Sequence, residues 1–237
     1  MGLRMSDFLT ILENEVQLSA LLFMAAVYAA RLVWMFKFRT VKERTFAEGS
    51  GRAGAAYSLA SIVRPQAMES TRRKPFFYAQ FVIFHLGVAA AIAATFIIPY
   101  APSFFESRPA VLLFQTTMAL ALGAGILRLI RRLTSRVLRR VSTPDDFVSL
   151  SLLIFYFASG ILAVPNAHAR EEWPLVIFFS LTAVFLVYVP FSKIGHYLYY
   201  PFSRYFLGKT LGNRGVFPPN RPTSSNRGRS GIQPGRL

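Results

Sequence analysis

Cysteine is absent from all 237 residues. That excludes disulfides and any iron–sulfur cluster held by thiolates of this chain. Acidic residues are scarce as well: 11 Asp and Glu stand against 27 Lys and Arg. Charged residues make up only 16% of the chain, where a soluble domain carries about 25%. Histidine occurs three times. No cleavable signal peptide is expected, because the N-terminus lacks both a basic lead into an apolar core and a small-residue cleavage site. No internal repeat and no second folded domain are evident.

What is abundant is apolar. Hydrophobic residues make up 53% of the chain, aromatic residues 15%, and Phe alone occurs 23 times. A spanning helix needs roughly 20 mostly apolar residues. Five segments qualify, at residues 16–36, 76–100, 109–130, 147–164 and 173–200. Backbone groups in lipid have no water partners, so these segments are predicted as helices. The expected fold is therefore an all-α membrane protein, a bundle of five transmembrane helices over residues 1–211. The stretch 212–237, rich in Gly, Pro, Ser, Asn and Arg, is predicted as a flexible basic tail. It is a solvated segment or a contact for anionic lipid or a partner.

A net charge of +16 would point to nucleic acid in a soluble protein. Here the basic residues lie between apolar runs, so membrane orientation explains them and no nucleic-acid partner is expected. Arg39, Lys42, Arg44, Arg52, Arg64, Arg72, Arg73 and Lys74 separate the first two spans, and Arg131, Arg132, Arg136, Arg139 and Arg140 separate the third and fourth. Loops 101–108 and 165–172 carry no such excess. Basic loops stay in the cytoplasm, which predicts an outside N-terminus, a cytoplasmic C-terminus and a multi-pass protein of the inner membrane.

Two of the three histidines lie in predicted spans: His85 in the second and His196 near the end of the fifth. Ionisable groups inside a membrane are costly and usually mark function; the structural alternative is a polar contact between helices. His85 lies roughly 10–15 Å along its span at 1.5 Å per residue, and His196 lies near the same, cytoplasmic, end with an offset that tilt or a kink at Pro190 would absorb. Two neutral imidazoles on different helices can take both axial positions of a haem iron. Gly87, Ala89, Ala90, Ala91 and Gly195 leave room beside them, although small residues also let bare helices pack closely. Haem propionates need cations, and Arg31, Lys193 and Arg204 lie near the inner surface, as do Arg73, Lys74 and Arg128. Each could equally be a snorkelling interface residue. His168, in the loop PNAHAREEW, reads as a solvated loop histidine. Thr95, Gln80 and Gln115 read as packing contacts.

These residues carry a family resemblance. PFSKIGH (190–196), followed by aromatic residues and Arg204, resembles the last helix of the gamma subunit of respiratory nitrate reductases. The FHxG of residues 84–87 is similar to that family's second helix, and AARLVW around Arg31 to its first. That family holds two haems, with two histidines on each of helices two and five. The second pair would fall at Thr95 and Phe178 in this chain, so the resemblance implies one haem b, at the cytoplasmic-side site, with His85 and His196 as ligands. It further implies electron transfer between quinone and a cytoplasmic iron–sulfur or heterodisulfide-reductase-like subunit, in a protein that is a subunit of an oxidoreductase complex rather than an enzyme alone. Two other readings differ in class: a haem-free membrane anchor or assembly factor with structural histidines, and a small transporter. Against the transporter, no acidic residue lies inside a predicted span and no discontinuous pair of spans is visible.

Overall fold

The computed structural model describes residues 5–37, 46–63, 73–166 and 172–219. It is helical throughout, with no strand among the described residues. Five helices are long and apolar enough to cross a membrane: Asp7–Lys37, Pro75–Tyr100, Arg108–Thr134, Pro144–Ala163 and Trp173–Phe191. Within and between them the elements are α1 (Met5–Ile11), a π-helical turn (Leu12–Val16), α2 (Gln17–Lys37), α3 (Gly51–Val63), α4 (Pro75–Tyr100), α5 (Arg108–Thr134), α6 (Arg136–Val141), α7 (Pro144–Ala163), α8 (Trp173–Tyr188) and α9 (His196–Asn213). The chain divides into two compact units, residues 1–39 with 73–196 and residues 40–72 with 197–237.

Three sequence expectations change. The first spanning helix starts about three turns before the predicted residue 16, so Glu13 and Glu15 ride on it. The predicted fifth span is not continuous. α8 stops at Tyr188, and two short 3-10 turns, Val189–Phe191 and Lys193–Gly195, precede α9. Pro190 has no N–H for the carbonyl a turn earlier and its ring crowds that carbonyl. Ser192 is then fully extended (φ −100°, ψ 170°), and its hydroxyl accepts the Ile194 N–H at 3.2 Å, starting the next turn. The stretch between the first two spans, expected as a loop, carries α3.

In the larger unit the helices form an arc in which α2 packs on α8, α8 on α7, α7 on α5 and α5 on α4, with α4 also touching α7. The ends of the arc, α2 and α4, share no extended packing among the described residues. The seam of α4 is Phe84, Gly87, Ala91, Ala94 and Ile98, all buried. Spacing of three and four places them on one helical face. Met118, Ala121, Ala124 and Gly125 of α5 are its buried counterparts. Lipid tails are as apolar as Leu, so close packing rather than the hydrophobic effect joins such helices. The core is aromatic: Phe157, Phe178 and Phe179 are fully buried, Tyr156 stacks on Phe178 at 5.1 Å and Phe84 meets Phe157 edge-on at 5.4 Å. Large apolar side chains such as Leu22 and Phe155 point outward, as expected where the solvent is hydrocarbon.

In the smaller unit α3 and α9 approach backbone to backbone. A Cβ on Gly208 would lie 2.9 Å from the Ala55 Cα, and one on Gly54 would lie 2.8 Å from the Gly212 nitrogen. Gly208 and Gly212 form the small-xxx-small spacing that permits this approach. The N–H groups of Glu48 and Gly49 donate to the Asn213 carbonyl at 2.8 and 3.1 Å, closing the C-terminal end of α9. α9 thus carries the first two residues of the stretch predicted as a tail; residues 220–237 lie outside the described residues.

Candidate functional site

His85 is the eleventh residue of α4. It adjoins the buried seam without being part of it, and its side chain is exposed on this chain. Its Nδ1 lies 2.7 Å from the Phe81 carbonyl oxygen, and the Phe81 ring stands 4.0 Å away, centroid to centroid. A carbonyl oxygen has no proton to give, so Nδ1–H is the donor and Nε2 keeps its lone pair. Two residues further along α4, a Cβ on Gly87 would collide with the Ala121 Cβ. Gly87 therefore serves the close approach of α4 and α5 and leaves no room for a macrocycle. Ala91 is likewise buried, whereas Ala89 is exposed.

His196 opens α9, just beyond the break. A continuous helix would carry it on the axis of α8; the extended Ser192 releases it from that axis. It too is exposed on this chain, and its Nδ1 lies 3.0 Å from the Lys193 carbonyl oxygen. By the same logic Nε2 carries the lone pair of its neutral ring. Gly195 is buried, and a Cβ there would lie 3.0 Å from the Val189 carbonyl oxygen and 3.6 Å from the Tyr28 hydroxyl. Gly195 thus permits the tight turn and makes no space beside His196. No described residue bonds Nε2 of either histidine. No group of three or more His, Cys, Asp or Glu able to hold a metal ion occurs among the described residues. The two imidazoles are thus separate single donors, a set suited to a centre whose other ligands come from a macrocycle.

The predicted cationic residues are placed differently. The Arg31 guanidinium lies over the Phe191 ring at 5.2 Å, one turn from the break. Arg128 lies over Phe84 at 5.0 Å, beside His85. The Lys193 ammonium is bound by Asp146 Oδ2 at 2.8 Å. Arg204 belongs to the smaller unit, where Nε and Nη2 donate to the Ser58 carbonyl oxygen at 3.3 and 3.2 Å and Nη2 also donates to the Ser61 hydroxyl. Its first role is to hold α9 to α3, where a buried carbonyl needs a donor.

Sequence reasoning missed the polar network at the start of α7. The carboxylates of Asp145 and Asp146 both turn to their own chain. Asp145 accepts from the Tyr188 hydroxyl, from Ser149 Oγ at 3.3 Å and from the Lys193 N–H at 2.9 Å. Asp146 accepts from the Thr143 N–H at 2.8 Å and its hydroxyl at 3.0 Å, and pairs with Lys193 and, at 3.6 Å, with Arg132. The available signal was Thr-Pro-Asp-Asp: Pro at the first helical position and acids in the first turn mark a helix N-terminus.

At the other end of the bundle the positions matching the second histidine pair hold no donor for a metal. Phe178 is fully buried against Tyr156, and the Thr95 hydroxyl donates to the Ile92 carbonyl at 2.7 Å. Gln115 Nε2 donates across helices to the Ile161 carbonyl at 2.8 Å, the packing contact expected of it. His168 lies outside the described residues.

No family model matches the chain. A protein of Nitratidesulfovibrio vulgaris (strain Hildenborough), whose printed name is only "Protein", is 27% identical over 164 residues, covering 67% of this chain and 71% of its own length.

Proposed function

We propose that this multi-pass membrane protein is the haem b subunit of a respiratory oxidoreductase complex of the inner membrane. It carries electrons between the quinone pool and a cytoplasmic iron–sulfur or heterodisulfide-reductase-like subunit. The N-terminus faces outside and the C-terminus the cytoplasm, as the basic loops require. The observation that carries the reading is the matched state of His85 and His196. Each ring is pinned through Nδ1 by a carbonyl of its own chain, and each histidine is exposed on this chain. A metal-binding histidine commonly holds its other ring N–H on such an acceptor, which sets tautomer and orientation.

Bound there, haem b would supply a one-electron carrier. The chain itself would fix both imidazoles, keep the opposite half of the bundle filled around Phe178, and set cations at the propionate level. Arg31 and Lys193 serve there in the larger unit. Phe178 and Thr95 in the other ligand positions favour one haem rather than two.

Purified protein in detergent tests this directly. Dithionite-reduced-minus-oxidised spectra are expected to show one haem b per chain, and His85→Ala or His196→Ala each to abolish the low-spin signal. A colourless wild-type protein, or an unchanged spectrum in both variants, would overturn the proposal and leave a haem-free anchor.

A further inference from the structure

The break after α8 leaves His196 without the support that His85 enjoys. His85 lies in the middle of a 26-residue helix. His196 follows a single 3-10 turn, Lys193–Gly195, itself preceded by an extended residue. Contacts outside that turn help to fix its position, and one of them reaches the backbone of Lys193 from α7. The Lys193 N–H donates to Asp145 Oδ2 at 2.9 Å, and the Lys193 carbonyl accepts both the His196 N–H and its Nδ1–H. Asp145 is in turn held through its other oxygen by Tyr188 and Ser149, one on each of the two helices that meet here. The carboxylate therefore ties the end of α8, the start of α7 and the residue that orients His196 into one unit.

We infer that Asp145 is the positioning residue of His196: its carboxylate, acting through the backbone of Lys193, fixes the position of the imidazole. This rests on the ligand role proposed above for His196. An anion on the Lys193 N–H fixes that residue's backbone and with it the carbonyl that receives the His196 Nδ1–H. A fixed acceptor on Nδ1–H sets the orientation of the ring toward a metal at Nε2. Asp146, one residue on, binds the Lys193 ammonium instead and does not touch this backbone path.

The test uses the full chain in detergent with haem b. Asp145→Asn keeps the shape but removes the charge; Asp145→Ala removes both. Haem transfer to an apo-globin trap is expected to become about 10- to 100-fold more favourable in Asp145→Ala, the usual penalty for losing a ligand's outer partner. Asp145→Asn, whose amide oxygen can still accept the Lys193 N–H, is expected to retain haem. In a His196→Gly background with added imidazole as the replacement ligand, Asp145→Ala is expected to cause no further loss of haem, because free imidazole is not attached to Lys193. A loss of the same size there would overturn the inference. Wild-type haem retention in Asp145→Ala would also overturn it while leaving the haem assignment standing. Amide exchange at residues 193–196 in haem-free protein reads positioning without the cofactor. Faster exchange in Asp145→Ala is expected, and unchanged exchange would overturn the inference.

Discussion

Two phenylalanines in the same bundle, Phe178 and Phe155, have opposite surroundings, and replacing each by Ala measures what interior packing contributes. Phe178 is fully buried, parallel to Tyr156 at 5.1 Å and edge-on to Phe179 at 5.5 Å. Removing its six ring carbons opens about 80–100 Å³, a cavity term of about 2 kcal/mol at ~24 cal/mol per Å³. Loss of the stacked pair adds about 0.5–1.5 kcal/mol. The total, about 3 kcal/mol, sits at the lower end of the range for Phe→Ala in cores. Phe155 is 63% exposed, and its ring meets hydrocarbon in folded and unfolded chains alike, so Phe155→Ala is expected to cost less than about 1 kcal/mol. Reversible unfolding of the full chain in mixed micelles, followed by circular dichroism, gives both values. Equal losses, or a Phe178→Ala loss below about 1 kcal/mol, would refute the claim that this half of the bundle is a packed core. Because the proposed haem ligands lie elsewhere, Phe178→Ala is also expected to keep its haem spectrum.

Gln115→Leu is expected to cost about 1–2 kcal/mol in the same unfolding assay. Pro165 has no N–H for the Ile161 carbonyl, so the Gln115 amide supplies the donor that carbonyl would otherwise lack. Gly208→Val is expected to force α3 and α9 apart, since a Cβ there already meets the Ala55 backbone at 2.9 Å. Amide exchange across residues 51–63 is expected to rise sharply, and unchanged protection would show that the glycine pair does not set the approach.

The candidate site was partly legible in one dimension. His85 and His196 are the only histidines in apolar runs, and the cost of an ionisable group in lipid makes them visible without coordinates. Their hydrogen-bond state was not visible. It depends on Phe81 and Lys193 carbonyls whose placement follows from helix phase and from the break at Ser192. The role assigned to Gly87 shows the limit well. Beside a histidine, a small residue reads as space for a cofactor or as a site of close contact, and only the position of Ala121 decides between them.

Sequence alone determines the class of this protein, because the requirement for about 20 apolar residues per span is a property of one segment at a time. The five spans follow from it, and their number matches the five apolar helices of the fold. Whatever depends on two segments at once was decided by tertiary structure. α3, short and flanked by arginine, looks like loop until the glycines of α9, some 150 residues away, take up its face. Asp145 and Asp146 look like a surface edge until Tyr188, Lys193 and Arg132 converge on them. Pro190 marks a weak point in the fifth span, but the direction the chain takes beyond it depends on Ser192 and on the carboxylate that receives the next N–H.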